Sequence, residues 1–224
     1  MALLVLSIGA FASYAFVHPA SQVLGKTVVS GNPQSPKIAL TFDDGPGEAT
    51  PQILDILKTS NIRATFFLCA SNVEKYPDIS RRIANEGHEI GNHTYSHPYL
   101  FGMTPGKISY EIQRAQNLIE KITRSRPMTF RPPYGVRWFG VFPVLANFHL
   151  ATVMWSVSGA DWKYGPEQIK SRILERTKNG SIILLHDGLP PNESGNRQAT
   201  ATALPEILKE LRKRFEFVKV SELS

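Results

Sequence analysis

From Lys37 onward the chain alternates short apolar runs with amphipathic ones, and that alternation limits its fold more than any other feature. Residues 37–42, 64–68, 89–90, 129–130, 151–155, 181–185 and 217–220 read as strands. Between them, 51–58, 79–85, 109–122, 141–146, 166–176 and 200–214 read as helices, the clearest carrying Ile112, Ala115, Leu118, Ile119 and Ile122 at helical spacing. Repeated β then α with short links predicts a parallel sheet or a barrel. No internal sequence repeat accompanies it.

Composition closes off other classes. With 224 residues, 42% hydrophobic and 20% charged, the chain is globular, which excludes a disordered, collagenous or multi-span membrane protein. Lys and Arg number 25 against 19 Asp and Glu, a formal charge of +6, so an anionic polymer or membrane surface is a natural neighbour. The basic residues are scattered and no nucleic-acid motif is present, which argues against nucleic acid as a partner. Cys69, the one cysteine, sits within an apolar run and reads as core, so neither an internal disulfide nor a cysteine zinc cluster can form.

No charged side chain precedes Lys26, and residues 2–17 are apolar apart from Ser7, Ser13 and Tyr14. The stretch is short for a spanning helix of about 20 residues but close to a signal-peptide core of about 7–15. Ala10-Phe11-Ala12 or Ser13-Tyr14-Ala15 suits a small-x-small cleavage site, although the basic residues expected ahead of the core are missing. Residues 1–25 are therefore expected to be a signal peptide or an N-terminal membrane anchor, with a buried helix as the alternative. Residues 26–36, rich in Ser, Pro, Gly and Asn, are expected to be a linker, and 37–224 one folded domain that such an N-terminus would place on the extracytoplasmic side.

Conspicuous polar residues follow the apolar strands: Asp43-Asp44, His93 and His97, Arg131, Asp161, and His186-Asp187. In a parallel barrel those strand ends share one face. Each cluster alone has a plain reading: an acidic turn before Gly45-Pro46, a polar loop, a surface arginine, a capping histidine. Together they are harder to dismiss, because ending a buried strand in an unpaired charge is costly. His93 and His97, four apart, would lie on one side of a helical turn and suit a shared transition metal. One carboxylate with two histidines makes an oxygen and two-nitrogen set, while the second carboxylate can take a proton from water, a histidine can protonate a leaving group and an arginine can hold the base. That kit hydrolyses an amide or an ester. His88, on the wrong side of its strand, reads as structural, and His18 and His149 as surface or packing residues.

Thr41-Phe42-Asp43-Asp44-Gly45-Pro46, His93-Thr94-Tyr95-Ser96-His97, Arg131-Pro132-Pro133-Tyr134-Gly135, Asp161-Trp162 and Leu184-Leu185-His186-Asp187 occur in the order of the motifs of the polysaccharide deacetylases with a NodB-homology domain, carbohydrate esterase family 4, which the chain resembles from about Lys37 to its end. The resemblance implies an α/β fold, a distorted, incomplete (β/α) barrel of about seven strands, and metal-dependent removal of N-acetyl or O-acetyl groups from a glycan such as peptidoglycan or chitin-type oligomers. It implies Asp43 as general base, Asp44, His93 and His97 as metal ligands, and His186 as general acid. Arg131 would orient Asp43, Asp161 would tune His186, Leu184 and Trp162 would line the acetyl pocket, and the Tyr134 N–H would join the oxyanion site. The cofactor would be one divalent ion, zinc ahead of cobalt or nickel, the partner an acetylated glycan, and the protein a monomer. Ser158 departs from the pattern, standing where the family usually has a second Asp three residues before Asp161. Two other readings are a same-fold hydrolase of a small amide or cyclic imide and a non-catalytic glycan-binding protein, which loss of Asp43 or His186 would have signalled.

Overall fold

A computed structural model describes residues 2–223. In chain order it runs α1 (Ala2–Val17), β1 (Lys37–Asp43), α2 (Thr50–Thr59), β2 (Thr65–Leu68), α3 (Ala70–Lys75), α4 (Pro77–Asn85), β3 (Glu89–Asn92), α5 (Pro105–Thr123), β4 (Thr129–Phe130), α6 (Val141–Asn147), β5 (Ala151–Thr152), β6 (Val157–Ser158), α7 (Pro166–Arg176), β7 (Ile182–His186), α8 (Gln198–Leu211) and β8 (Glu216–Val218). All named strand pairs are parallel, in the order β5-β4-β3-β2-β1-β7-β6. The eighth strand, β8, lies beside the first half of β1, and β2 takes over along the second half. This is the expected incomplete (β/α) barrel, with one strand more than the alternation indicated.

β1 shows why the sheet forms and what it carries. Ile38, Leu40 and Phe42 point outward into a core shared with Ile53, Leu54 and Leu57 of α2 and with Leu204, Ile207 and Leu208 of α8. The intervening Ala39, Thr41 and Asp43 point inward, since successive side chains alternate across a strand. β7 repeats the arrangement: Ile183 and Leu185 join the outer core, leaving Ile182, Leu184 and His186 on the inner side. Burial on both faces is why these strands read as nearly unbroken apolar runs.

The edge strands β5 and β6 do not pair with each other, and the segment expected as a linker lies across the gap. Val28 N–H donates to Thr152 O at 2.8 Å and Met154 N–H to Val28 O at 2.7 Å, while Ser30 bridges Ser181 and Gly31 N–H reaches Gly180 O at 2.8 Å. Residues 26–36 thus give the exposed edge a partner, which a parallel edge strand needs. The run 151–155, expected as one strand, ends as β5 at Thr152 with Val153 bridging Val28, and a separate strand, β6, follows at Val157; β6 and the short α3 are elements that the periodicity does not indicate.

α1 ends against the barrel. Phe16 meets Phe101, Trp138 and Phe139 at centroid separations of 5.3–5.8 Å. Arg137, 1% exposed, turns its guanidinium into the following bend, donating to Ser21 O at 2.8 Å and to His18 O. Among the described residues no helix is long and apolar enough to cross a membrane.

Candidate active site

Strand register alone brings four of the singled-out residues to one layer. Asp43 is the register partner of His186, and Asn92 that of Phe130, so His93 and Arg131 leave adjacent strands at the same height. Two neighbouring carboxylates can share the cleft because Asp44 takes φ 69°, swinging its side chain inward where an extended residue would point away. Gly45 allows this turn to lie flat on Asp187: a Cβ there would sit 2.2 Å from Asp187 Oδ2.

Asp44 Oδ1 lies 3.3 Å from His93 Nε2 and 3.1 Å from His97 Nε2, all three residues being buried. The histidines are not on a helical turn, as their spacing suggested. The segment is a loop in which Thr94 (φ 68°) and His97 (φ 57°) are left-handed, and these two bends, rather than helical pitch, bring the imidazoles together. His93 Nδ1 lies 2.6 Å from Arg131 O, a contact that places a proton on Nδ1 and leaves Nε2 as the nitrogen facing Asp44. Asp44 Oδ1 is buried with no hydrogen-bond partner of good geometry. Burial opposes its charge, yet His93, His97 and His186 hold its pKa well below the usual carboxylate range. A buried anionic oxygen without a hydrogen bond beside two imidazole nitrogens is the donor set of a divalent cation, and it fits one.

Asp43 and Arg131 form one wall. Arg131, fully buried, donates from Nη1 to Asp43 Oδ1 at 2.6 Å and Thr41 Oγ1 at 2.8 Å, and its remaining nitrogens reach Met154 O and Val153 O. Its face lies on the Phe67 ring, 4.1 Å from the centroid. Across the cleft His186 Nδ1 pairs with Asp161 Oδ1 at 2.8 Å, while Asp161 Oδ2 accepts from the His186 N–H and from Thr200 Oγ1. Burial works against the imidazolium, but Asp161, with Asp44 and Asp43, carries its pKa up to about 9. His186 Nε2 stands 4.0 Å from Asp44 Oδ2, facing the cleft. Ser158, the departure in the fourth motif, accepts the Ala160 N–H at 3.1 Å and so caps the turn that delivers Asp161.

The cleft, about 390 Å³, is lined by Asp43, Asp44, His93, His97, Tyr134, Trp155, Trp162, Leu184 and His186. Leu184 is its buried floor, whereas Tyr134 and Trp162 are exposed at the rim, Tyr134 edge-on to His97 and Trp162 edge-on to His186. All ten residues expected at the site therefore converge, except that Arg131 and Asp161 stand one layer behind the cleft surface. His88 lies elsewhere: its Nδ1 accepts the Ala64 N–H, and burial pushes its pKa down to about 4. His18 and His149 do not line the cleft.

Sequence reasoning missed the residues that brace these loops. Asp187 Oδ2 accepts from Thr50 Oγ1 at 2.6 Å, and burial, reinforced by Asp44 and Asp43, pushes its pKa up to about 7. Asn72 donates to both Asp44 O and Leu189 O, bridging the first and last motifs. Glu111 of α5 reaches the His93–His97 loop. Asp187 was visible as a motif neighbour, but nothing local distinguishes Asn72 from any helix asparagine.

A parallel barrel with these five clusters at one end defines the class. A family profile described as "Polysaccharide deacetylase" matches residues 30–171, and the chain belongs to that family, whose structures are grouped as carbohydrate esterase family 4. The chain is 40% identical over 185 residues to a peptidoglycan-N-acetylglucosamine deacetylase of Bacillus cereus, covering 82% of this chain and 66% of that relative. It is 37% identical over 196 residues to a chitooligosaccharide deacetylase of a Bradyrhizobium species, covering 83% and 90%. Among solved structures, the Bc1960 peptidoglycan N-acetylglucosamine deacetylase in complex with 4-naphthalen-1-yl-N-oxidanyl-benzamide superposes with a TM-score of 0.83 at 38% identity, over 88% of this chain and 92% of that one.

Proposed function

We propose that this protein removes N-acetyl groups, and with them O-acetyl groups where the polymer carries them, from an extracytoplasmic glycan such as peptidoglycan or a chitin-type oligomer, releasing acetate. The observation that carries the reading is the convergence of Asp44, His93 and His97 on one point, with Asp43 and His186 on either side of it.

Asp44, His93 and His97 would hold one divalent cation, with zinc the first choice and cobalt or nickel acceptable to the same donors. The cation, when bound, supplies Lewis acidity toward water and the acetyl carbonyl. Asp43 is the base. Its Oδ1 is engaged by Arg131, leaving Oδ2 to accept a proton from the attacking water, and the buried arginine holds the carboxylate in place. Water then adds to the acetyl carbon, and the Tyr134 N–H donates to the developing oxyanion. His186 completes the exchange: Asp161 holds Nδ1, so the proton on Nε2 passes to the sugar nitrogen as the carbon–nitrogen bond breaks. Leu184 and Trp162 enclose the acetyl methyl. The products are acetate and the sugar amine, which carries the proton the acetic acid gives up, while the proton taken at Asp43 balances the one given by His186.

The apolar N-terminus supports export or anchoring, and the positive charge suits an acidic envelope polymer. The enzyme would act as a monomer. The test is acetate release by the zinc-reconstituted full chain from a panel of peptidoglycan, chitin oligomers, acetylated xylan and a small cyclic imide. Release from an N-acetylated glycan supports the reading. Turnover of the imide alone would favour the small-amide alternative, and glycan binding without release would indicate a carbohydrate-binding protein.

A further inference from the structure

The loop between His93 and His97 owes its shape to side chains. Thr94, Tyr95, Ser96 and His97 offer four consecutive backbone N–H groups, and a side-chain oxygen accepts each of them: Asn92 Oδ1 from Thr94 at 2.8 Å, Glu111 Oε2 from Tyr95 at 3.1 Å and from Ser96 at 2.9 Å, and Thr94 Oγ1 from His97 at 3.1 Å. Glu111 Oε1 accepts the Ser96 hydroxyl as well, at 3.0 Å. On the other side, the first N–H groups of α3, from Ala70 and Ser71, donate to Thr94 O and Tyr95 O. The loop is thus clamped between α3 and α5.

Of the three accepting side chains, Asn92 and Thr94 belong to the loop or its stem and move with it. Glu111 does not, and it reaches in from the second turn of α5. Two successive N–H groups aimed at one carboxylate oxygen form a small anion-binding nest, which only a chain bent as this one is can present. The bends are those at Thr94 and His97, both in the left-handed region that residues with a Cβ occupy only where their surroundings impose it. The same helix also receives Asn92, whose amide donates to Ile112 O and Gln116 Oε1.

We propose that Glu111 is a positioning residue for the metal site: by capturing Tyr95 and Ser96 it sets the separation of the two imidazoles and so the affinity for the divalent cation. This rests on the assignment of His93 and His97 as ligands. Removing the carboxylate leaves two half-buried N–H groups without acceptors, and the loop gains by relaxing its two strained residues. Either change moves the ligand nitrogens.

The test uses the full-length chain, stripped of metal, as wild type, Glu111→Gln and Glu111→Ala. Zinc is titrated against a chromogenic competing chelator, and each metal-free protein is melted by circular dichroism. Loss of a residue that orients ligands costs about 10–100-fold in metal affinity. Glu111→Ala should show a loss of that size at a temperature where it is fully folded. Glu111→Gln, keeping one oxygen able to accept both N–H groups, should fall between it and wild type. A glutamate that merely supports the fold would lower the melting temperature and leave the zinc Kd unchanged, and that result in Glu111→Ala overturns the proposal. Should Glu111→Ala not fold, Glu111→Gln decides by the same criterion. If wild type itself holds no zinc, the functional reading and this inference fall together; if wild type binds and both variants match it, only the inference falls.

Discussion

Asp43 and Asp44 are adjacent, equally buried and chemically identical, and only their partners separate them. Asp43 faces a guanidinium that neutralises it, whereas Asp44 faces two imidazoles and keeps one oxygen without a hydrogen bond. Asp43→Asn should therefore retain stoichiometric zinc and lose about 10²–10⁴-fold in kcat, while Asp44→Asn should weaken zinc binding itself, as metal analysis beside kinetics will show. Equal metal loss in both would refute the division of roles. As the proposed acid, His186 must carry its proton, and Asp161 raises its pKa to about 9 against the effect of burial. Glycan kcat/KM should accordingly fall as pH rises toward that value, the limb moving lower once a cation's charge shares the cleft. In His186→Ala that limb should vanish, and the loss should be far greater on an N-acetyl glycan than on an aryl acetate, whose phenolate leaves without a proton. Equal losses on the two substrates would assign His186 to binding instead.

Elements place these residues through two devices, strand register and turns that only certain residues permit. The β1 to β7 register makes Asp43 and His186 neighbours although they are far apart in sequence, and the period of two puts Leu184 on the same inner face as His186. The turn after β1 depends on Gly45, whose Cα lies against the Asp187 carboxyl held by Thr50. Gly45→Ala forces a methyl to within 2.2–2.3 Å of both Asp187 oxygens, so the turn or the carboxyl must move. The expected cost is about 1–3 kcal/mol of stability with weakened zinc binding, measurable by denaturant unfolding and chelator competition. Asp187→Ala in the Gly45→Ala background should recover part of both; no recovery would mean that another contact sets the turn.

At the scale of the whole molecule the site is a guest of the fold. The main core, from Ile38 through Phe66 and Ile183 to Leu211, lies between the sheet and its helices and includes no proposed ligand. Chelation should therefore leave circular dichroism unchanged at room temperature. Restoring zinc to about a hundred times its Kd should stabilise the fold by about 2.7 kcal/mol, a rise of roughly 5–10 °C in Tm for a chain of this size. An unfolded metal-free protein would show instead that the cation is part of the scaffold.

The sequence alone determined the alternation that makes a parallel barrel and the residue types at its strand ends, because both are local: periodicity records which faces are buried, and a polar residue closing an apolar strand is conspicuous where it stands. It also marked His88 as structural and Cys69 as core, and both are buried away from solvent in the fold. Tertiary structure decided what depends on distant partners. The spacing of His93 and His97 suggested a helical turn, yet their approach comes from left-handed bends held by Glu111, a residue of another element. Composition made residues 26–36 a linker, but Val28 and Ser30 complete the open edges of the sheet, since unpaired strand edges recruit whatever backbone passes near them. Whether a carboxylate binds, braces or titrates is fixed by the groups within a few ångströms of it, and Asp43, Asp44, Asp161 and Asp187 drew four different sets of neighbours that folding alone brought to them.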